Sequence, residues 1–311
     1  MARIGTSSLD VFPLSLGGNV FGWTADEDQS FAVLDAFTAA GGDFIDTADA
    51  YSAWVEGNSG GESETVIGHW LAKRGRRDDV VIATKVGSHP QLRGLRADTI
   101  RRGADASLAR LGTDHIDVYY THRDDPDTPV EEIVTALDAL VKAGKVRVLG
   151  ASNISPERLA ASLDFAEREG LARYEIVQPH YNLVEREAYE GAAADLVAAR
   201  GLSAAPYAGL AAGFLTGKYR VGTQVASARA AGASRYVGTE RGERVLSALD
   251  EVAGARGVEA GSVALAWLLA QRTVVAPIAS ARTPEQLPAL LAGVQLTLTP
   301  EELSLLDHAS R

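Results

Sequence analysis

An α/β fold closed into a (β/α)8 TIM barrel is predicted for this 311-residue chain by three observations: eight short apolar runs, longer amphipathic stretches after each, and no break in the alternation. Such alternation means parallel strands joined by crossover helices. Eight units in succession favour a closed barrel over an open sheet. Hydrophobic residues make up 46% of the chain, which is enough for one large core. No linker, low-complexity tract or charge block divides it, so residues 1–311 are read as a single domain.

Residues 3–12 read as a β-hairpin ahead of the barrel, turning near residues 6–8. The strand candidates are 14–16, 43–47, 80–85, 116–122, 148–152, 175–178, 202–206 and 274–279. The helix candidates are 29–40, 62–74, 97–111, 130–143, 156–169, 187–200, 241–256 with 261–271, and 284–292. Asp98, Thr128 before Pro129, and Ser155 before Pro156 are candidate caps, the last with proline at the first helical position. Glycine closes many helices, at Gly41, Gly75, Gly112, Gly144, Gly170 and Gly201. Thr299-Pro300-Glu301-Glu302-Leu303 opens an extra C-terminal helix. Two loops are long, 52–60 and 218–240. Both lie on the strand-to-helix side, where barrel enzymes keep their chemistry. They read equally as surface variation or as a substrate-pocket wall and a segment folding over a cofactor.

Composition excludes several function classes. Net charge is −11, and no basic run is interleaved with aromatics, so no nucleic-acid partner is expected. The absence of cysteine removes disulfides, thiolate nucleophiles and cysteine-bound metals. The N-terminus has no apolar signal core, and no apolar run reaches the ~18 residues of a membrane span. A cytoplasmic protein with no membrane partner is expected; oligomeric state has no signature here.

The chemistry sits at successive strand ends. Asp46 and Tyr51 lie five residues apart behind the apolar pair Phe44-Ile45. Lys85, one of five lysines, ends the next strand, and His122 ends the one after. Neighbouring strands about 4.7–4.9 Å apart bring all four into one mouth. A phenol has a pKa of about 10, and a nearby cation lowers it. Lys85 is expected to do so for Tyr51, with Asp46 as partner of the buried ammonium. His122 suits sharing the proton or orienting a substrate oxygen. The set makes Tyr51 a proton donor to an oxygen that gains negative charge. Singly, each residue also has a packing or ion-pair reading; their joint placement points to an enzyme.

Other strand ends suit a second ligand. The amides of Asn153, beside Ser152, and of Gln178 suit a planar carboxamide, and Tyr207 suits stacking on a flat ring. A turn before Pro156 and barrel packing are the plainer readings. Ser280-Ala281-Arg282-Thr283-Pro284 offers an arginine and a helix N-terminus, which suit a phosphate.

These residues resemble the aldo-keto reductase family along the whole chain, most closely the bacterial branch that is also similar to potassium-channel β subunits. The matching pieces are Phe44-Ile45-Asp46-Thr47-Ala48 with Tyr51, Gly61-Glu62-Ser63-Glu64, Thr84-Lys85 and Tyr120-Thr121-His122-Arg123. Further on come Gly144-Lys145-Val146-Arg147, Gly150-Ala151-Ser152-Asn153, Gln178 with Tyr181-Asn182, Gly213-Phe214-Leu215-Thr216-Gly217-Lys218, and Arg282 with Gln286. The resemblance implies a hairpin closing the N-terminal end of the barrel and NADPH (NADP+) bound without a Rossmann domain. It implies Tyr51 as general acid with Lys85, Asp46 and His122 completing the tetrad. It also implies Gly18, Asn19, Ser152, Asn153, Gln178, Tyr207, Leu210, Lys218, Ser280, Arg282 and Gln286 as cofactor contacts, with Arg282 on the 2′-phosphate. The substrate is an aldehyde or ketone, no metal is needed, and Trp23 and Trp54 are candidate pocket walls. Ala208-Gly209 stands where the family usually has Ser-Pro, and Ser280 where glycine is common.

Two rival readings remain open. A Schiff-base aldolase would use Lys85 but leaves Gln178, Tyr207 and the Arg282 loop without a role. An NADPH-binding redox-sensing subunit would keep the same site and turn over slowly.

Overall fold

Side-chain alternation along the strands decides which residues can meet. The computed structural model describes residues 1–311. Its barrel strands are β1 (Ser15–Gly17), β2 (Phe44–Asp46), β3 (Val81–Val86), β4 (Ile116–Thr121), β5 (Val146–Ser152), β6 (Tyr174–Gln178), β7 (Ser203–Ala204) and β8 (Ile278–Ala279). All are parallel, in the order 7-6-5-4-3-2-1-8. The ring closes between β7 and β8. Ala204 N donates to Thr273 O (2.8 Å), Val275 N to Ala204 O (2.9 Å) and Ile278 N to Pro206 O (2.8 Å).

Successive strand residues face opposite sides of a sheet. Phe44, Val81, Ala83, Val118, Tyr120, Val148 and Ile176 fill the barrel interior, while Ile45, Ile82, Val86 and Tyr119 pack outward against the helices. The same alternation turns Asp46, Lys85 and His122 inward at the C-terminal ends of their strands. Register completes the placement: Gly17 pairs with Asp46, Asp46 with Ala83, Lys85 with Tyr120, and Ser152 with Gln178. The hairpin, Ala2–Arg3 with Asp10–Val11, plugs the opposite end, contributing Ile4, Leu9 and Val11 to the interior cluster.

The helices are α1 (Glu27–Ala39), α2 (Glu62–Arg74), α3 (Ala97–Leu111), α4 (Val130–Lys142), α5 (Pro156–Glu169), α6 (Ala192–Ala199), α7 (Ala230–Ser234), α8 (Glu240–Arg256), α9 (Ala260–Leu269), α10 (Leu287–Gln295) and α11 (Pro300–Ser310). Helix α1 starts two residues before the expected 29, because Asp26 and Gln29 form a capping box. Ser155 caps α5 as expected. Asp98 does not cap α3 but lies in its first turn, paired with Arg101 and Arg102. The Thr128 hydroxyl goes to Asp125 rather than to α4. Helix α6 starts at Ala192, not 187, because Gly191 holds φ 82° and ψ −129°, a conformation foreign to a helix. The expected helix 284–292 is split into a 3-10 turn, Pro284–Gln286, and α10, which has Pro288 in its first turn. Strands β7 and β8 are shorter than expected because Pro206 and Pro277 have no N–H for a ladder. The loop 218–240 contains the short helix α7. No single helix is long and apolar enough to cross a membrane.

Candidate active site

Asp46 is the hub of the inward-facing polar groups. Its Oδ2 accepts from Lys85 Nζ at 2.7 Å and from the Tyr51 hydroxyl at 3.2 Å. Its Oδ1 accepts from Gln178 Nε2 at 2.8 Å. Lys85 Nζ donates also to Thr47 O at 2.7 Å and to the Tyr51 oxygen at 2.9 Å, so all three ammonium protons are engaged. The His122 ring lies 6.1 Å from that of Tyr51, and its Nδ1 is buried without a partner. The four tetrad residues therefore converge as their strand positions predict.

The charge balance differs from the expectation that Lys85 makes Tyr51 acidic. Burial holds the phenol well above its ordinary value, and Asp46, by charge and hydrogen bond, pushes the same way. The carboxylate contacts both ammonium and phenol, so it cancels the field that Lys85 alone would exert. Burial also lowers the Lys85 ammonium, against the charge of Asp46. Burial and then the charges of Lys85 and Arg123 drive His122 down to about 3. The resting site thus holds a protonated phenol and a neutral imidazole.

A cavity of about 620 Å³ runs from Tyr51 and His122 to Gln286 and Leu290. Ser152, Asn153, Gln178 and Tyr207 border it near the tetrad; Asn19, Leu210, Lys218, Ser280, Arg282 and Gln286 border it too, and Asn19 Oδ1 accepts from Ser280 Oγ at 2.7 Å. Gly18 does not. Its neighbour Gly17 lines the cavity instead, while Gly18 opens a 3-10 turn and its carbonyl accepts from Ser63 Oγ at 2.8 Å. Gly17 has no room for a side chain, since a Cβ there would meet Ser280 Oγ at 2.6 Å. Trp23 and Trp54 do not line the cavity. They meet edge to face at 5.6 Å outside it, with Trp54 6.2 Å from the Tyr51 ring.

The groups expected to hold a carboxamide form a chain among themselves. Tyr207 OH donates to Asn153 Oδ1 (3.0 Å), Asn153 Nδ2 to His122 O (2.9 Å), and Ser152 Oγ to Gln178 O (2.8 Å). Gln178 keeps its Oε1 as a free acceptor. His180 stacks on one face of Tyr207 at 5.0 Å, and Tyr207 also borders the cavity. The expected helix N-terminus at Pro284 is a 3-10 turn, and Gln286 Oε1 accepts from Arg282 N at 2.8 Å.

Sequence reasoning gave no role to Arg123 and Arg229, and both line the cavity. Arg123 was visible as the residue after His122. Arg229 lies in the long loop 218–240, whose length marked it as a segment that could fold over a cofactor but whose small residues singled out no position.

Behind the tetrad, Asp49 is buried and neither carboxyl oxygen has a partner. Burial, then the like charge of Glu64, raises it from 3.8 to about 8, against Arg110 and Lys85. The folded state thus keeps a proton that the unfolded chain releases. Stability contributed by this group therefore falls as pH rises from about 4 to about 8 and is level above. Asp49→Asn is expected to flatten that slope and raise Tm at pH 8. Parallel Tm-versus-pH curves for the two proteins contradict this.

The family model described as "Aldo/keto reductase family" matches residues 13–311. The chain is 36% identical to oxidoreductase YrpG of Bacillus subtilis, over 98% of this chain and 94% of that protein. It is 34% identical to a norsolorinic acid reductase of Emericella nidulans, over 96% and 78% of the two chains. It is 31% identical to an aryl-alcohol dehydrogenase of Pestalotiopsis microspora, over 97% and 79%. With this match across nearly its full length, and a barrel of eight parallel strands beneath it, the chain belongs to the aldo/keto reductase family.

Proposed function

We propose that this chain reduces an aldehyde or ketone to an alcohol with NADPH, and that Tyr51 protonates the carbonyl oxygen. The observation that carries the reading is the Tyr51 hydroxyl, 2.9 Å from Lys85 Nζ at the wall of the long cavity. The donor set fits a dinucleotide. The free Gln178 Oε1 suits a carboxamide and the cavity face of Tyr207 suits a ring. Lys218 and Arg282, neither in an ion pair, suit phosphates. When bound, that cofactor supplies the hydride.

The chain's own groups handle the proton. Tyr51 donates to the substrate oxygen as charge grows there, and the phenolate left behind faces the Lys85 ammonium. Asp46 holds that ammonium in position and favours its charged form. His122, neutral, offers a hydrogen bond that orients the oxygen. A Schiff-base role for Lys85 is disfavoured because its Nζ is fully buried, held by Asp46, Thr47 O and Tyr51, and does not line the cavity where a carbonyl would sit. The reductase and dehydrogenase names of the relatives support the reaction class. A cytoplasmic setting is part of this reading.

Steady-state oxidation of NADPH with a panel of aldehydes tests it. Turnover is expected; tight NADPH binding without turnover favours the sensing subunit, and no binding removes the reading. For cofactor choice, Arg282→Ala is expected to weaken NADPH about ten- to a hundredfold, the scale of a charged hydrogen bond, and NADH far less. Fluorescence titration of both nucleotides checks this. Equal losses contradict a 2′-phosphate contact.

A further inference from the structure

Tyr207 is held at its hydroxyl, its backbone and one face. The hydroxyl donates to Asn153 Oδ1 at 3.0 Å. The backbone N–H donates to Pro179 O at 2.9 Å, which pairs Tyr207 with His180 as neighbours across parallel segments. The next peptide is fixed too. Ala208 stands at φ 55°, a conformation rare for a residue with a Cβ, and its carbonyl accepts from Asn182 Nδ2 at 2.9 Å. The His180 imidazole lies on the phenol ring with centroids 5.0 Å apart and planes within 9°. Tyr207 borders the cavity and His180 does not, so the imidazole backs the ring from the side away from the cavity.

These contacts do different work. A tyrosine hydroxyl lies on the Cβ–Cγ axis. Its bond to Asn153 therefore fixes where the ring is, but not how the ring is turned about that axis. That torsion is intrinsically broad. The backbone bonds leave it free as well. His180 is the group that sets the plane. Other aromatic pairs of the fold cross at 40° or more, so near-parallel stacking is not the general packing habit of this chain. The imidazole is also neutral at neutral pH. Burial lowers it from its ordinary value, against the charge of Glu185 and with that of Arg235. Glu185 is itself engaged, by Arg235 at 3.2 Å and by the Tyr236 hydroxyl at 2.8 Å. A flat, uncharged ring thus stands behind Tyr207.

We propose that His180 is a positioning residue for the nicotinamide: it sets the plane of Tyr207, whose other face then meets the cofactor ring as the middle layer of a three-ring stack. This rests on the dinucleotide reading above and deepens it.

The test is calorimetric titration of two ligands, NADPH and 2′-phospho-ADP-ribose, which has the same phosphates but no nicotinamide. His180→Ala is expected to weaken NADPH about three- to tenfold, the scale of one aromatic stack, and to leave 2′-phospho-ADP-ribose unchanged. His180→Phe, which restores a flat ring, is expected to recover most of the loss. In a Tyr207→Ala background, removing His180 is expected to cost nothing further, because no ring is left to orient. Unchanged NADPH affinity in His180→Ala overturns the proposal. So does an equal loss for both ligands, which marks general damage to the site, or a full additional loss in the Tyr207→Ala background. A wild-type protein that binds neither ligand is a different result: it removes the dinucleotide reading itself.

Discussion

Tyr51→Phe is expected to lower kcat for carbonyl reduction by about two to four orders of magnitude, the usual share of a positioned acid. The change deletes one oxygen. That oxygen accepts from Lys85 at 2.9 Å and donates to Asp46 at 3.2 Å. Both partners keep their mutual contact at 2.7 Å, so neither is left without a counter-charge. The ring remains to pack beside Trp54 and His122. NADPH affinity by fluorescence titration is therefore expected to stay close to wild type while turnover collapses. A variant that keeps wild-type kcat removes Tyr51 as the acid. One that loses cofactor binding assigns the phenol to the wrong task.

Lys85→Met has the second large effect, and it acts on stability as well as rate. Lys85 is fully buried, and its removal strands the Asp46 carboxylate in the barrel interior. Breaking one side of a buried pair costs about 3–5 kcal/mol. The lone carboxyl is then expected to take up a proton, so the lost stability is largest at high pH and shrinks as pH falls. Asp46→Asn in the same chain removes the stranded charge. The double variant is expected to regain much of the Tm but none of the rate, because no ammonium is left to face a phenolate. Tm and kcat measured on both variants separate the two roles. A double variant with wild-type kcat shows that Lys85 is structural only.

The strand ends were legible because two simple rules govern them. Alternation turns Asp46, Lys85 and His122 to one side, and parallel register puts them side by side. Helix ends were legible where a local signal exists, as at Ser155 or Gly112, whose φ is 62°. They were misread where the signal was ambiguous. Residues 187–191 carry helix-compatible side chains, but the backbone of Gly191 breaks away. Pro284 marked a helix start, yet Pro288 four residues later divides the segment.

The site was legible in its members and not in its balance. Sequence places Lys85 near Tyr51, but not that Asp46 Oδ2 contacts both, nor that burial dominates the phenol. Desolvation depends on everything packed around a group, which spacing does not report. Arg229 escaped notice for the related reason that its position comes from how a long loop folds back onto Asn19.

The measurement closest to the central claim is a single turnover with NADPH carrying deuterium at both C4 positions of the nicotinamide and an aryl aldehyde in excess. Mass analysis should find one deuterium on the carbinol carbon of the alcohol in the wild type, and Tyr51→Phe should form that labelled product far more slowly at full cofactor occupancy. Alcohol without the label, or label transferred equally fast by Tyr51→Phe, contradicts the account.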